Sequence, residues 1–285
     1  MTPIRTLALA AAFLCAGAAR AQTPADAPPL VVYSAGSMVG ALGAMLQRYT
    51  AETGRRTDLH TGPAGLMLGR IEAGDPVDLF VSANMAHPQK LTSEHKATAT
   101  IVFARNRICV SARPEVGLTS GNLLDKLLDP KIRIGTSTPK ADPGGDYAWE
   151  LFDKAETVRP GAAAILKAKA RQVVGGSIEP TPPPSATPKP ESTALESLVK
   201  QQIDVTIGYC SGHTTKHDSS VSQVQLPPSL AFPVDYGMTV LTTSADPARR
   251  EAADRLALYL MSPDAQAMMA PYGFIPVASS PSPKG

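Results

Sequence analysis

The sequence is poor in aromatic residues, nearly balanced in charge, sparing in cysteine, and has no long apolar run beyond its first residues. Aromatics make up 5% of the chain, and no basic stripe interleaves with them, which excludes a single-strand nucleic-acid binder that stacks bases beside cations. Without Arg5 and Arg20, both in the leading segment, the positive count falls from 27 to 25 and meets 25 acidic residues. A neutral chain gives nucleic acid no electrostatic footprint. No stretch approaches the roughly 18 consecutive apolar residues of a membrane span. G-x-S-x-G is missing, so there is no nucleophile elbow of the hydrolase kind. No repeat of 20–50 residues is present, which removes solenoids and propellers.

What is present begins with an export signal. "MTPIRTLALAAAFLCAGAARA" has Arg5 in a short basic start, apolar residues from Leu7 to Ala16, and A-R-A before Gln22. Residues 1–21 are therefore expected to be removed after Ala21, leaving a periplasmic product. Cys15 raises a lipoprotein reading, but Leu14 stands before it where such signals want a small residue. Two cysteines remain, Cys109 and Cys210, each in an apolar, strand-like run. In an oxidising compartment they form either a disulfide or two buried thiols, and sequence alone leaves both open.

From Leu30 onward, strand, bare turn and helix alternate, which is the signature of an α/β fold. "LVVYS", "RTDLHT" and "VDLFVSAN" read as strands, and residues 38–52 and "LMLGRIEAG" as helices. "TATIVFARNRICVSARP" reads as one long extended segment closed by Pro114. Residues 175–192, "GGSIEPTPPPSATPKPES", are too rich in proline to hold ladder or helix bonds and form an extended loop. Asp246-Pro247 has the pattern of an N-cap followed by proline at the first helical position. Small-residue turns recur at Ser37, at Gly62 to Gly65 and at Gly144, so several helix N-termini are expected to converge on one cleft.

"VVYSAGSMVGAL" places Ser34, Ala35, Gly36 and Ser37 between a strand and a helix whose apolar positions are Met38, Leu42, Met45 and Leu46. Ser37 stands where that helix begins. It has two readings: an N-cap, or part of a site in which exposed N–H groups meet an outside anion.

"VVYSAGSMVGALGAML", "GRIEAGDPVDLFVSAN" and "YLMSPDAQAMMAPYGFIPV" closely resemble the periplasmic molybdate-binding proteins of ABC importers, within the bacterial extracellular solute-binding proteins. The resemblance runs from about Leu30 to Val277. It implies the type II periplasmic binding protein fold, two lobes that are each a mixed sheet flanked by helices, joined by hinge crossovers. Residues 30–110 and 236–285 would form one lobe and 111–235 the other, with crossings at "ICVSA" and "YGMTV". The ligand implied is molybdate or tungstate, a metal oxyanion held by hydrogen bonds with no direct protein coordination of the metal and no further cofactor. The partner implied is the permease of an inner-membrane ABC importer, and the chain is expected to be a monomer that binds no nucleic acid.

Carried over by position, Ser37 matches the family's first ligand-binding serine and Tyr209 the tyrosine whose hydroxyl meets the anion. Gly144 and Thr193 match backbone N–H donors. The family's second serine falls at Ala64 in "TGPAGLM", where the hydroxyl is missing; Pro63 has no N–H, whereas Ala64 and Gly65 do. Gly36, Thr61 and Gly65 complete the expected site, with Thr61 as a source for the lost hydroxyl. The departure at Ala64 keeps a different anion or a small organic acid as the alternative ligand.

A secreted enzyme is the competing class. Ser93–Lys96 and Ser137–Lys140 fit S-x-x-K, but the partner motifs S-D-N and K-T-G are absent, so no enzyme is expected. His213 and His217 share i, i+4 spacing in "HTTKH", yet the threonines make that stretch a loop, and no third zinc ligand accompanies them. A cytoplasmic regulator with a similar effector domain would carry a DNA-binding module where this chain carries its export signal.

Overall fold

A computed structural model describes residues 27–174, 198, 200–211 and 221–278. The export signal, the proline-rich stretch 175–192, Thr193, His213 and His217 lie outside the described residues.

The first half of the chain runs β1 (Leu30–Ala35), α1 (Val39–Thr53), β2 (Thr57–Gly62), α2 (Ala64–Glu72), β3 (Leu79–Ser82), α3 (Ala86–Ser93) and β4 (Ile101–Asn106). In α1 the residues Leu42, Met45, Leu46 and Tyr49 fall on one buried stripe, and Gly54 ends the helix at φ 73°. Positive φ is where glycine has no Cβ penalty, so Gly54 suits the end of the helix. β3 is buried at every position, as a strand covered on both faces requires.

The middle of the chain supplies β5 (Ile108–Ala112), α4 (Leu123–Leu128), β6 (Ile134–Ser137), α5 (Pro143–Val158), α6 (Ala162–Lys169), β7 (Arg171–Val174), β8 (Val205–Tyr209) and β9 (Ser222–Gln225). The end returns through β10 (Val234–Val240), α7 (Pro247–Leu260), α8 (Pro263–Ala267) and β11 (Ile275–Pro276). The α7–α8 break falls at Ser262, whose hydroxyl caps α8 through the Ala265 N–H.

Two mixed sheets result, in the orders β11-β4-β10-β3-β1-β2 and β7-β6-β8-β5-β9. β1 pairs in parallel with β2 and β3, while β10 runs antiparallel between β3 and β4. In the second sheet β6 is parallel to β7 and β8, and β5 is antiparallel to β8 and β9.

The long extended segment expected over residues 98–114 is in fact two strands in different sheets. The break falls at Arg107, where the Asn106 side chain accepts the Arg107 N–H at 2.8 Å and the Arg107 carbonyl accepts the Cys210 N–H at 2.8 Å. The second of these bonds continues the β5–β8 register, so the chain has passed to the second sheet at Arg107. The chain therefore leaves the first sheet just before "ICVSA", which lies wholly in the second sheet, and returns between Gln225 and Val234, before "YGMTV". Cys109 and Cys210 are joined as a disulfide with Cα atoms 5.0 Å apart, which settles the pairing that sequence left open.

The lobes touch across the cleft. The Gly65 N–H donates to the Ala141 carbonyl at 3.1 Å, and the Tyr147 hydroxyl donates to the Ala83 carbonyl at 3.0 Å. A Cβ at Gly65 would lie 2.2 Å from the Lys140 carbonyl oxygen, so only glycine permits this approach.

Candidate functional site

Gly36–Met38 form a short 3-10 turn ahead of α1, so Ser37 lies inside the turn and Met38 takes the N-cap place, with no side-chain cap bond. The capping reading of Ser37 is thus corrected. Its hydroxyl lies 2.9 Å from that of Tyr236. Gly36 is not forced by the chain's own packing either, because a Cβ there would meet only the Gly62 backbone, at 3.8 Å or more.

Tyr236 reaches Ser37 because of a β-bulge. The register of β10 against β4 shifts between Tyr236 and Gly237, and such a bulge re-aims a side chain. A Cβ at Gly237 would lie 2.7 Å from the Pro88 ring and 3.0 Å from the Asn84 carbonyl oxygen, so the bulge needs glycine. The fully buried Tyr236 hydroxyl also receives a bond from the Asn106 amide at 3.2 Å, and the same amide donates to the Ser211 hydroxyl at 2.6 Å. Ser37, Tyr236, Asn106 and Ser211 form one hydrogen-bonded line from the first lobe into the second.

Tyr209 ends β8 beside this line. Its ring meets Tyr236 edge-on at 5.6 Å and Tyr147 at 6.1 Å. Its hydroxyl is buried beside that of Tyr236 but makes no hydrogen bond of good geometry. Burial pushes its pKa well above the ordinary tyrosine value, and the neighbouring Tyr236 and Asp142 add to the shift. At neutral pH it stays a protonated donor. A buried donor without a well-formed bond is unfavourable unless something else fills the place.

The helix N-termini are less open than expected. Asp142 is the N-cap of α5, and its carboxylate accepts the Gly144 N–H at 3.2 Å, so the donor assigned to Gly144 already has an acceptor. The Gly65 N–H is taken up by Ala141 across the cleft. Both assignments are corrections, because a free donor was expected at each place. Ala64 is the first residue of α2 and fully buried, where an N–H has no intrahelical partner. Thr61 stands on β2 opposite Ser34 and is not joined to the hydroxyl line. Thr193 lies outside the described residues.

The structure thus places Ser37, Tyr209, Gly144 and the Ala64–Gly65 turn near one another where the two sheets meet. Tyr236, Asn106, Ser211 and Asp142 were missed. For Asp142 the signal was present, since Asp142-Pro143 repeats the Asp-Pro pattern of Asp246-Pro247. No lysine or arginine side chain among the described residues bonds into this network, and no group of three or more His, Cys, Asp or Glu among them converges as a metal site. The first S-x-x-K pair is not coupled: Ser93 bonds to the Lys90 carbonyl and Lys96 to Glu94. No helix among the described residues is long and apolar enough to cross a membrane.

A family model described as bacterial extracellular solute-binding protein matches residues 30–275. An uncharacterized protein of Pasteurella multocida is 35% identical over 206 residues, which span 71% of this chain and 81% of that one. The molybdate-binding protein ModA of Rhodobacter capsulatus is 24% identical over 230 residues, 80% of each chain. Among solved structures, the periplasmic molybdate-binding protein of Azotobacter vinelandii superposes with a TM-score of 0.67 at 17% identity, covering 86% of this chain and 98% of the other. The sulfate-binding protein SubI of Mycobacterium tuberculosis gives 0.70 at 18% identity, covering 88% of each. The two-lobe fold expected from the sequence is borne out by these superpositions.

Proposed function

The chain belongs to the bacterial extracellular solute-binding proteins, and from that premise we propose that it captures a small tetrahedral oxyanion between its lobes and passes it to the permease of an ABC importer. The observation that carries this reading is the Tyr209 hydroxyl, a buried donor with no well-formed hydrogen bond, placed beside the Ser37–Tyr236 pair. Neutral donors suit an anion in such a place. Bonds between a charged acceptor and a fixed N–H or O–H are about twice as strong as neutral ones. Dipoles held by a folded frame also need no reorganisation when the ligand arrives.

Molybdate and tungstate come from the resemblance, and the Rhodobacter relative supports them. The ligand leaves chemically unchanged, as transport requires, and export to the periplasm follows from the leading segment and the family. Calorimetry with molybdate, tungstate, sulfate and phosphate tests the reading. One of the four binds one per chain, and Tyr209→Phe, which deletes only the hydroxyl, weakens it roughly ten- to a hundredfold. Absence of heat and of any thermal shift with all four overturns the oxyanion reading.

A further inference from the structure

Arg55 is a buried cation with no counter-charge of its own. It is 8% exposed, and its Nε and Nη1 are enclosed without a hydrogen-bond partner. The turn that carries it is fixed by the end of α1: the Thr53 hydroxyl accepts the Arg55 N–H at 3.1 Å, and the Thr50 hydroxyl donates to the Arg55 carbonyl at 3.1 Å. Arg55 therefore stands between α1 and β2, at the end of the first sheet where Leu30 pairs with Thr57. Ser37 follows the opposite end of β1, roughly 17 Å along the strand. This place is separate from the site described above.

Two more guanidinium groups gather at the same end of the sheet. Arg249 of α7 donates to the Pro29 carbonyl at 3.0 Å and holds the Asp78 carboxylate through Nε at 2.7 Å and Nη2 at 2.6 Å. The Val31 N–H also donates to Asp78, at 2.7 Å, so that carboxylate is already engaged. Arg56 donates to the Ala27 carbonyl at 3.3 Å, which satisfies an N–H and neutralises nothing. Burial first, then Arg249, push the Arg55 pKa down, with Arg56 adding to the shift and Tyr49 and Asp78 opposing it. An arginine keeps its charge even so. A buried charge left unpaired is strongly unfavourable. Water satisfies N–H groups but leaves the charge; an anion answers both.

We propose that Arg55 is the centre of a second anion site, on the first lobe and away from the cleft, which takes a doubly charged phosphate group. The planar guanidinium matches two oxygens of such a group. Asp78 offsets Arg249, and the charges of Arg55 and Arg56 are left for the ligand, so a dianion fits better than a monovalent ion.

The test is thermal unfolding of the full chain at pH 8 with inorganic phosphate or methyl phosphate, against chloride at equal ionic strength. Native protein, Arg55→Met, Tyr209→Phe and the double variant are compared, so that any phosphate held at the cleft is separated from phosphate held here. A ligand bound only by the folded state raises the melting temperature. Phosphate should raise that of the native chain by about 2–4 °C more than that of Arg55→Met, and the same difference should persist between Tyr209→Phe and the double variant. A rise with inorganic phosphate alone identifies the free anion, a rise with methyl phosphate as well admits esters, and either carries the proposal. An equal rise in native protein and Arg55→Met overturns it, as does a rise no greater than chloride gives. A difference that disappears in the Tyr209→Phe background also overturns it, because the effect then runs through the cleft. Methionine keeps an apolar stem at this buried position and is expected to fold. Should it not, Arg55→Lys takes its place: it retains the charge and loses the fork, so most of the rise should be lost, and a native-like response overturns the proposal.

Discussion

Ser37 and Tyr209 reach the cleft in opposite states, one hydroxyl already bonded to Tyr236 and the other buried without a well-formed hydrogen bond. Ser37→Ala removes no cap, and Tyr236 keeps its bond from Asn106, so unfolding free energy should change by no more than about 1 kcal/mol. Affinity for the identified ligand should fall about tenfold or more if Ser37 holds the anion as proposed. Denaturant titration alongside calorimetry checks both, and unchanged affinity would remove Ser37 from the site. A second residue answers to pH. His87 is largely buried beside Ser82, with its Nδ1 3.1 Å from the serine hydroxyl, and burial lowers its pKa from 6.5 to about 4, with Glu72 opposing. Between those values the unfolded chain binds a proton that the folded chain does not. Stability therefore falls as pH drops from about 6.5 towards 4, by about 3 kcal/mol for this group. His87→Gln should flatten that part of the curve in urea unfolding at pH 7 and pH 4.5. Ser37 and Tyr209 were legible because each lies within a short motif. Their partner Tyr236 was not: it stands 199 residues from Ser37 and is aimed by a bulge, and local pattern carries neither fact.

Most of the strands and helices of the two sheets follow from apolar periodicity and from turn residues such as Pro114 and Pro247, which is why that part of the fold could be read in advance. What failed were inferences about free backbone groups. The donors expected at Gly144 and Gly65 are engaged, one by an acidic cap two residues back and one by a carbonyl of the opposite lobe. The first was readable, since Asp-Pro before a helix marks a cap at 142–143 as it does at 246–247. The second was not, because it depends on how the lobes meet. That contact makes Gly65 a test of closure. An added Cβ would lie 2.2 Å from the Lys140 oxygen and 2.7 Å from that of Ala141, both in the second lobe, while alanine is a better helix former than glycine. Gly65→Ala should thus leave thermal stability near the native value yet weaken ligand binding at least tenfold, by keeping α2 away from residues 140–141. Small-angle scattering with saturating ligand should show a larger radius for the variant than for the native chain; identical radii and affinities would show that the contact does not govern closure.

At the scale of the whole molecule, the two sheets exchange the chain beside the cleft, and the disulfide sits at one of those exchanges. Cys109 follows Arg107 by two residues, just past the crossing, and Cys210 lies between Tyr209 and Ser211. Arg107 and Cys210 are also tied through the backbone at 2.8 Å. Gly273, at φ 82°, brings the closing turn of the first lobe against the same place, with room for a Cβ only 3.2 Å from the Ser211 Cα. The bridge closes a sequence separation of 101 residues, which encloses most of the second lobe. In the chain-entropy account a loop of that length contributes about 4–5 kcal/mol, and native bridges of this kind contribute about 2–5 kcal/mol when measured. Reduction, or a Cys109→Ala and Cys210→Ala pair, should therefore lower stability by about 2–5 kcal/mol. It should also weaken ligand binding, because the bridge holds the segment that carries the Tyr209 donor and the Ser211 end of the hydrogen-bonded line. These two effects separate in one experiment: urea unfolding of oxidised and reduced protein, followed by calorimetry under conditions where both are folded. A loss of stability with affinity intact would mean that the hydrogen bonds of Asn106 and the packing of Gly273 position Tyr209 without the bridge. A loss of both is expected, since the pinned residue and the proposed binding residue are adjacent in the chain.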